Sequence, residues 1–382
     1  MRSSSVTQVS TPALYDKWFV FAIFCIIAFG LLMMTSASIV ISDQVMHQPF
    51  YFLYKQIIFL TVGLGVMVVM LQFDTKFWEA YGGHFLLFVM FLLALVLIPG
   101  IGHVRNGSAR WLGIGPFGFQ VSELTKFMVV IYMSGFLVRH NEEIRYSLIG
   151  FIKPMLVLTV IAMLLLREPD FGATVVVITT ALGLMFLAGM RLRNFIFLFS
   201  VVLFSLVTLA VSAPYRMARL TSFLNPWEHP FDKGYQLTQS LIAFGRGGWS
   251  GVGLGNSIQK MFYLPEAHTD FLFAVIAEEL GIVGMVAVLG LFSLLVYRIF
   301  HIGKMAQLLN RPFAGLVAYG FGLWIAIQFI VSIGVNSGLL PTKGLTLPLM
   351  SYGGSSILVS CMMIALLLRI DHENRLTALG IR

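Results

Sequence analysis

Ten apolar segments, most of them long enough to cross a lipid bilayer, divide this 382-residue chain. A helix needs about 20 apolar residues to span the hydrocarbon core, and all its backbone N–H and C=O groups must be paired there, which favours helices over strands. The segments lie approximately at 18–41, 55–72, 81–101, 122–138, 148–166, 171–190, 194–213, 271–298, 313–335 and 351–369. The sequence therefore predicts an all-α, polytopic integral membrane protein with about ten transmembrane helices.

Composition places the chain in the same class. Hydrophobic residues make up 58% of it and charged residues 11%, whereas a soluble domain carries about 25% charged residues. The net charge of +8 comes without a dense basic cluster interleaved with aromatic residues, which argues against nucleic-acid binding. Cys25 and Cys361 lie within apolar segments and are too few for a disulfide framework, so we interpret them as packing residues.

Lysine and arginine residues are distributed unevenly between alternate loops. With the N-terminus placed inside, the short inside segments hold Arg139, Arg145, Arg191, Arg193, Arg298, Lys304, Arg311, Arg369 and Arg375. This bias follows the positive-inside rule and predicts that both termini are cytoplasmic. The predicted organisation is a disordered cytoplasmic tail at 1–16, a single transmembrane domain at 17–370 and a short cytoplasmic tail at 371–382.

One loop, at 214–270 between the seventh and eighth predicted spans, is far longer than the others and faces outward. Loops longer than about 15 residues are usually functional or disordered. Amphipathic pieces and aromatic anchors predict that this loop is partly ordered and lies on the membrane surface. Its glycine-dense stretch 247–256 lacks the context of a Walker or dinucleotide motif. We interpret it as a tight backbone path near Asp270, with phosphate binding by backbone amides as the alternative.

Asp270 stands at the junction between this loop and the eighth predicted span. A carboxylate within a membrane costs about 2.5–3.5 kcal/mol at the centre of a helix and is usually retained for a pathway or a chemical step. Glu266 and His268 lie close by, but no further ligand cluster supports a metal site, and no nucleophile elbow supports a Ser-His-Asp triad. A single carboxylate general base is the most economical interpretation of Asp270.

Cations on the predicted outer side run against the topological bias. Arg110 belongs to the stretch Asn-Gly-Ser-Ala-Arg-Trp-Leu at 106–112. Its planar guanidinium suits phosphate or carboxylate, and an interfacial Arg-Trp anchor is the alternative. Glu123 and Lys126 are three residues apart, and hence on one helical face. They form either an internal ion pair or a site where Lys126 receives an anionic substrate, and both interpretations stay open.

The segment 338–356, which contains Lys343, joins the last two predicted spans and holds two prolines and four glycines. Such a composition predicts a re-entrant or tightly folded outside loop. Non-helical backbone at this depth needs protein or a wet cavity around it. The segment therefore marks a second part of a site, beside Asp270.

Four motifs together resemble the SEDS family (shape, elongation, division and sporulation). They are NGSARWL, SELTKF, YLPEAHTDFLFAVIAEELG and GLLPTKGLTLPLMSYGGSS, and the resemblance runs from the first span to about Arg369. The PEAHTD, PTKGLTLP and SYGGSS stretches are most similar to the cell-division branch of the family. One departure is Val121, which stands where the family commonly has proline and which alters how that helix begins.

The resemblance implies an inverting glycosyltransferase that polymerises lipid II into peptidoglycan strands at the outer face of the bacterial cytoplasmic membrane, at the division septum. It assigns the catalytic carboxylate to Asp270. Substrate-binding candidates, with the cations directed at the diphosphate, are Arg110, Glu123, Lys126, His268, Lys343 and Ser355. No metal ligand and no definite cofactor is implied, and a divalent cation is left open.

The implied partners are a class B penicillin-binding protein acting as the septal transpeptidase, other division proteins, lipid II and membrane lipids. The chain itself carries no S-x-x-K and K-T-G set. A lipid II flippase is one alternative, because polar and charged groups within spans, such as Glu123, Lys126, Glu278 and Glu279, are also typical of transporters. A non-catalytic division scaffold is the other. The candidate residues gather at the outer face and no inverted repeat is evident, which favours the enzyme.

Overall fold

The computed structural model describes residues 14–105, 108–114, 117–146, 149–211, 217, 222–228, 230–232, 234–342 and 344–381. Within them, ten helices have 17 residues or more: α1 (Lys17–Met46), α2 (Tyr51–Met70), α3 (Thr75–Val96), α4 (Val121–Arg139), α6 (Ile149–Arg167), α7 (Phe171–Leu187), α8 (Leu192–Val211), α10 (Leu272–Leu308), α11 (Pro312–Asn336) and α12 (Gly354–Ala378). Shorter elements are α5 (Asn141–Tyr146), α9 (Tyr235–Gly247) and one π-helical turn (Gln259–Tyr263).

Seven of the ten long helices are long and apolar enough to cross a membrane, and Phe171–Leu187 and Leu192–Ser205 are shorter apolar helices. The predicted helical, multi-span architecture is therefore confirmed. Following the predicted orientation, we call one end of the bundle the outer end; it carries the described residues 97–105, 108–114, 117–120, 168–170, 248–271, 337–342 and 344–353. The opposite end, which carries 71–74 and 309–311, is the inner end.

The last helix runs past the point at which the sequence predicts a cytoplasmic tail. α12 continues to Ala378, although the last apolar segment ends near 369. Glu373 is buried and pairs with Arg369, one helical turn away, and with Arg311 at the start of α11. Charged residues that end an apolar run can therefore extend its helix, because ion pairs with neighbouring helices replace lipid contact.

Three helices form the interior of the bundle, and α2 lies at its edge. α4, α11 and α12 are the most buried of the candidate spans, and α2 is the least buried. Aromatic stacking marks the contacts at the centre: Phe127 of α4 stacks on Phe321 of α11 at a centroid distance of 5.2 Å. Phe292 of α10 stacks on Phe329 of α11 at 4.2 Å. The polar residues of α4 are therefore carried inside protein rather than against lipid.

A small antiparallel sheet covers part of the outer end. Its strands are β1 (His103–Arg105), β2 (Ser108–Ile114) and β3 (Phe117–Gln120), in the order β1-β2-β3. The register pairs Trp111 with Gln120. The sequence pattern did not predict these strands, because they are short and are held by pairing with one another rather than by a run of alternating apolar residues. Since α4 begins directly after β3, the sheet fixes how α4 enters the bundle.

Helix α10 is interrupted near its outer end at Gly281, and the backbone of the glycine-dense segment 247–256 hydrogen-bonds to the carbonyls just before the interruption. Gly281 has φ 62° and ψ −155°, a backbone conformation that residues with a side chain rarely adopt. The Val252 and Gly253 N–H groups donate to the carbonyls of Glu278 and Glu279, each at 3.0 Å. A Cβ atom on Gly251 would lie 2.1 Å from the Glu279 carbonyl oxygen, so the chain approaches too closely for any other residue. The tight backbone path is confirmed, and its close contacts are with Glu278 and Glu279 further along α10.

Candidate active site

Asp270 lies half-buried at the outer end, directly before the first turn of α10. Its backbone carbonyl accepts a hydrogen bond from Asn336 Nδ2 at 3.0 Å. The Oδ1 atom of the same Asn336 accepts from the Ala274 N–H at 3.1 Å. Asn336 is the last residue of α11 and is fully buried. One amide thus joins the end of α11 to the beginning of α10 and holds the backbone that carries the carboxylate.

The loop between α11 and α12 packs onto the Asp270 carboxylate. A Cβ atom built on Gly344 would lie 2.7 Å from Asp270 Oδ2, so a side chain at this position would have to displace the carboxylate or the loop. The sequence prediction that 338–356 forms part of one site with Asp270 agrees with this contact. Lys343, the neighbouring residue, lies outside the described residues, and its role stays a prediction.

His268 is packed into the wall of the same site. Its carbonyl accepts from the Tyr352 N–H at 3.0 Å. Its ring lies 4.7 Å from the Phe52 ring of α2 and 5.7 Å from the Tyr352 ring. Burial lowers the pKa of His268, and the charge of Glu266 opposes that effect only in part. The imidazole is therefore neutral at pH 7 and joins α2 to the loop that covers Asp270.

Two glutamines hold this loop at separate points. Gln56 of α2 donates from Nε2 to the Ser351 carbonyl at 3.2 Å and accepts from the Gly353 N–H at 3.3 Å. Gln328 of α11 donates from Nε2 to the Thr346 carbonyl at 2.9 Å. Both amides lie inside apolar helices, where an unpaired polar group is costly. They therefore fix a segment with little regular structure against the bundle.

Lys126 lies in a closed polar network in the interior. Its Nζ atom lies 2.8 Å from Glu123 Oε1 and 3.0 Å from Gln328 Oε1. It also lies 5.2 Å from the centroid of the Trp324 ring, a cation–π distance. Lys126 is only 2% exposed. The geometry favours the internal ion pair over a directly exposed anion site, and Gln328 connects that pair to the Thr346 carbonyl in the loop over Asp270.

Arg110 fastens the sheet to the outer turn between α6 and α7. Its Nε atom donates to the Glu168 carbonyl at 3.2 Å, and Nη2 donates to the Pro169 carbonyl at 2.6 Å. Its Nη1 atom lies 3.9 Å from Asp170 Oδ1. The Asp170 side chain in turn accepts from the Ala173 N–H and caps α7. The Arg110 side chain is 27% exposed, so the guanidinium can meet a ligand only from the side that these contacts leave open.

Ser355 links this second cluster to the first turn of α12. Its Oγ atom accepts from the Gln120 N–H at 2.8 Å. The Gln120 side chain donates to Asp170 Oδ2 at 3.3 Å. Ser355 is buried. Its oxygen thus pairs a backbone group at the end of β3.

The predicted site residues that the structure describes fall into three groups. Asp270 and His268 lie with the loop over them, and Glu123 with Lys126 reaches that loop through Gln328. Arg110 and Ser355 meet through Gln120 and Asp170. Sequence reasoning missed Gln56, Gln328 and Asn336, which are the residues that hold the loop and Asp270. An amide within an apolar span was the available signal, since polar side chains there usually bond between helices.

The two glutamates of α10 are paired with cations and hydroxyls. Glu278 Oε1 lies 2.6 Å from Arg246 Nη1, and the carboxylate also accepts from Ser257 Oγ. Glu279 Oε1 lies 2.7 Å from Lys260 Nζ and 2.8 Å from Ser36 Oγ of α1. Glu279 thus bonds to a second helix, α1. These contacts attach the segment around the α10 break to α1 and α9.

Among the described residues, no group of three or more His, Cys, Asp or Glu side chains is placed to hold a metal ion. A divalent cation therefore has no assigned ligand set in this part of the chain and enters no step below.

Comparison with known proteins shows which family the chain matches. The model of the FtsW, RodA and SpoVE family, described as cell cycle protein, matches residues 17–376. The probable peptidoglycan glycosyltransferase FtsW of Legionella pneumophila is 56% identical over 375 residues, which cover 98% of this chain and 95% of that relative. The corresponding protein of Coxiella burnetii is 53% identical over 359 residues, covering 94% of this chain and 96% of that relative.

Solved structures have the same fold. A chain of a peptidoglycan synthase complex, studied for its structural coordination of polymerization and crosslinking, matches with a TM-score of 0.77 and 30% identity, covering 94% of this chain and 98% of that one. The crystal structure of the rod shape determining protein RodA of Thermus thermophilus matches with a TM-score of 0.70 and 28% identity, covering 94% of this chain and 97% of that one.

Proposed function

This chain belongs to the FtsW, RodA and SpoVE family of cell cycle proteins, and from that membership we propose that it is a peptidoglycan glycosyltransferase that polymerises lipid II in septal wall synthesis. One structural observation supports the proposal most directly. Asp270 is held at the outer end by Asn336, and the loop backbone at Gly344 lies against its carboxylate. A fixed, half-buried carboxylate at that end of a membrane bundle suits proton abstraction from a substrate on the outer face.

In the proposed reaction Asp270 is the general base. The 4-hydroxyl oxygen of the acceptor N-acetylglucosamine attacks C1 of the donor N-acetylmuramic acid. The new C1–O bond forms as the bond to the diphosphate breaks, with inversion at C1, and the hydroxyl proton passes to the Asp270 carboxylate. A positioned general base contributes about 10²–10⁴ in rate.

The leaving diphosphate needs positive charge placed where its own charge develops. Arg110 and Lys343 are the proposed sources. Two donors of Arg110 already bond to carbonyls of the α6–α7 turn, so the exposed part of the side chain would provide the charge that meets the diphosphate. Lys126 is enclosed in its pair with Glu123 and acts by holding the loop through Gln328.

A class B penicillin-binding protein is the proposed partner, because glycan strands must be crosslinked and this chain lacks the transpeptidase motifs. The solved relative in a synthase complex supports the pairing. The partner's membrane helix would pack on lipid-facing helices, and its outer stalk would rest on the loop 214–270. Cytoplasmic termini and placement at the division septum belong to the same proposal, and membrane lipids surround the bundle.

Transport of lipid II across the membrane is the second candidate. Its support in the sequence was the presence of charged residues within spans, among them Glu278 and Glu279. Both glutamates have close partners, of which Lys260 is 2% exposed. That pairing gives them a structural role and makes the transporter the weaker candidate.

Labelled lipid II in detergent micelles separates the two functions. The purified chain with its transpeptidase partner should produce long glycan strands, because donor and acceptor can meet in one micelle. Asp270→Asn and Asp270→Ala should abolish the product while the protein stays folded and monodisperse. A transporter yields no polymer in micelles, which have no two sides. Long strands from a well-folded Asp270→Asn enzyme would contradict the general-base role.

A further inference from the structure

The backbone N–H groups on either side of Asp270 donate to one and the same oxygen. The Thr269 N–H lies 3.1 Å from the Glu266 carbonyl oxygen, and the Phe271 N–H lies 3.2 Å from it. Asp270 therefore stands between the two donors of a closed turn, 266–271, which ends at the N-cap of α10. The direction in which the Asp270 side chain leaves the backbone depends on this turn as well as on Asn336.

Glu266 has a backbone conformation that is unusual for a residue with a side chain. Its φ is 57°, in the left-handed region, where the Cβ atom crowds the following carbonyl oxygen. Glycine enters this region without that cost. Where a larger residue is held there, surrounding contacts must fix it, and such residues concentrate at functional sites. A glutamate at this position therefore indicates a contact that glycine could not make.

That contact is a side-chain hydrogen bond within the turn. Thr269 Oγ1 donates to Glu266 Oε2 at 2.7 Å, and the same hydroxyl oxygen lies 3.2 Å from the Glu266 carbonyl oxygen. A hydrogen bond to an ionised carboxylate is about twice as strong as one between neutral groups. The Glu266 carboxylate thus ties the residue before Asp270 to the residue that reverses the chain.

The rest of the turn is anchored to the bundle. Three of its neighbouring apolar side chains are buried: Leu264, Ala267 and Phe271. The His268 carbonyl accepts from the Tyr352 N–H in the loop between α11 and α12, and the Asp270 carbonyl accepts from Asn336 at the end of α11. Since these contacts hold the turn from outside, the bond between Glu266 and Thr269 acts on its internal shape.

We propose that Glu266 and Thr269 are positioning residues for Asp270, and that their hydrogen bond fixes the turn that directs the Asp270 carboxylate toward the acceptor hydroxyl. The inference rests on the proposed function, which makes Asp270 the general base. A general base acts over the length of one hydrogen bond, so displacing its oxygen by about 1 Å can cost about 10²-fold in rate. Neither Glu266 nor Thr269 touches the substrate in this role.

Substitutions at Thr269 separate its hydroxyl from the shape of its side chain. Thr269→Val removes the hydroxyl and keeps the shape, whereas Thr269→Ser keeps the hydroxyl. With lipid II and the transpeptidase partner, we expect Thr269→Val to lower kcat by about tenfold with KM within about twofold of wild type, and Thr269→Ser to restore most of kcat. Thr159→Val is the matched control and should match wild type, since Thr159 is exposed on α6 and its hydroxyl bonds to the Met155 carbonyl.

Substitutions at Glu266 test whether the two residues act through one bond. Glu266→Gln keeps an oxygen that can accept from Thr269, so kcat should stay within about threefold of wild type. Glu266→Ala should resemble Thr269→Val. The double variant Glu266→Ala with Thr269→Val should be no slower than the slower single variant, because changes that remove the same interaction do not add. A loss equal to the product of the two single losses would overturn the shared role.

Amide hydrogen exchange gives a readout that does not depend on activity. In Thr269→Val, peptides covering 264–275 should exchange faster than in wild type, while peptides from α4 should be unchanged and the unfolding midpoint should show a folded protein. Unchanged exchange or unchanged kcat would overturn the proposal, as would a raised KM at normal kcat or a Thr269→Ser variant as slow as Thr269→Val. If the wild-type complex makes no polymer, the proposed function fails, whereas exchange still decides whether the hydroxyl holds the turn.

Discussion

The side-chain amide of Asn336 holds the backbone of Asp270, donating to its carbonyl at 3.0 Å while accepting from the first turn of α10. A carboxylate acting as a base must be placed within a fraction of an ångström, and misplacement by about 1 Å can cost 10²-fold in rate. Asn336 touches the backbone and not the proposed substrate, so it is a positioning residue.

Asn336→Ala should therefore lower kcat by about 10–100-fold with a much smaller change in KM. Steady-state polymerisation of lipid II by the complex measures both constants. Ser337→Ala is the control, because Ser337 is the next residue and bonds only locally, to the Gly334 carbonyl at 3.5 Å. A change in KM with kcat preserved would assign Asn336 to substrate binding.

A side chain at Gly344 should impair catalysis. A Cβ atom there would lie 2.7 Å from Asp270 Oδ2, so Gly344→Ala must displace either the loop or the carboxylate. We expect a loss of kcat of about 10-fold or more, with little loss of thermal stability because the glycine itself is exposed. Gly353→Ala is the matched control, since its Cβ would make an ordinary 3.4 Å contact with Ser356. Equal activity of the two variants would place the loop elsewhere during catalysis.

Lys126 should matter to stability before it matters to binding. Lys126→Met leaves the buried Glu123 carboxylate without its cation, and breaking a buried pair from one side costs about 3–5 kcal/mol. The double variant Glu123→Gln with Lys126→Met should recover most of that loss. Lys304→Ala removes an exposed lysine and should stay within about 0.5 kcal/mol. Thermal unfolding in detergent measures all three, and a normal midpoint with a raised KM for Lys126→Met would restore the anion-site interpretation.

Substitution of Glu278 and of Glu279 in α10 should lower the free energy of unfolding by different amounts. Glu279→Gln leaves Lys260 charged and buried at 2% exposure, whereas Glu278→Gln leaves Arg246, whose side chain is 36% exposed. We expect Glu279→Gln to lower the unfolding midpoint more, with a cost of about 3–5 kcal/mol, and Glu278→Gln to be intermediate between it and wild type. Adding Lys260→Met to Glu279→Gln should recover stability. If both single variants instead block lipid II movement in liposomes, while wild type makes no polymer in micelles, the transporter is correct.

Glu168 should make stability depend on pH. Its carboxyl is fully buried, and neither oxygen has a hydrogen-bond partner among the described residues. Burial, reinforced by the charge of Asp170 and opposed by Arg110, raises the pKa of Glu168 to about 8 from an ordinary 4.5. The folded protein thus keeps a proton that the unfolded chain releases. The stabilisation is complete below pH 4.5 and is lost as pH rises to about 8, by at most about 1.4 kcal/mol for each pH unit.

Glu168→Gln removes this titration. The unfolding midpoint of Glu168→Gln should stay level between pH 5 and 8. The unfolding midpoint of the wild type should fall over the same pH range. Thermal scans in detergent at several pH values test this, with Glu142→Gln as the control because Glu142 is exposed. Parallel curves for wild type and Glu168→Gln would show that the carboxyl is ionised in the folded protein.

The amino-acid sequence by itself determined the membrane-spanning helices and indicated Asp270 as the candidate general base. Apolar runs specify spans because each helix pairs its own backbone groups, which is a local requirement that a sequence displays directly. Asp270 was evident for the same reason, since a charge at a membrane boundary is costly wherever the helix packs. The glycine-dense segment also announced a close backbone approach, although not that it would repair a break in α10.

Only the tertiary structure decided which side chains meet. The rotation of each helix decides whether Lys126 faces a cavity or Gln328. The folding of the outer loops over the bundle decides whether Arg110 meets a ligand or the carbonyls of Glu168 and Pro169. The contact between Gly344 and Asp270 joins residues 74 positions apart in the numbering. Such pairs depend on how several elements pack together, and no local sequence pattern specifies that packing. The sequence could therefore indicate the residues of the site but not their partners.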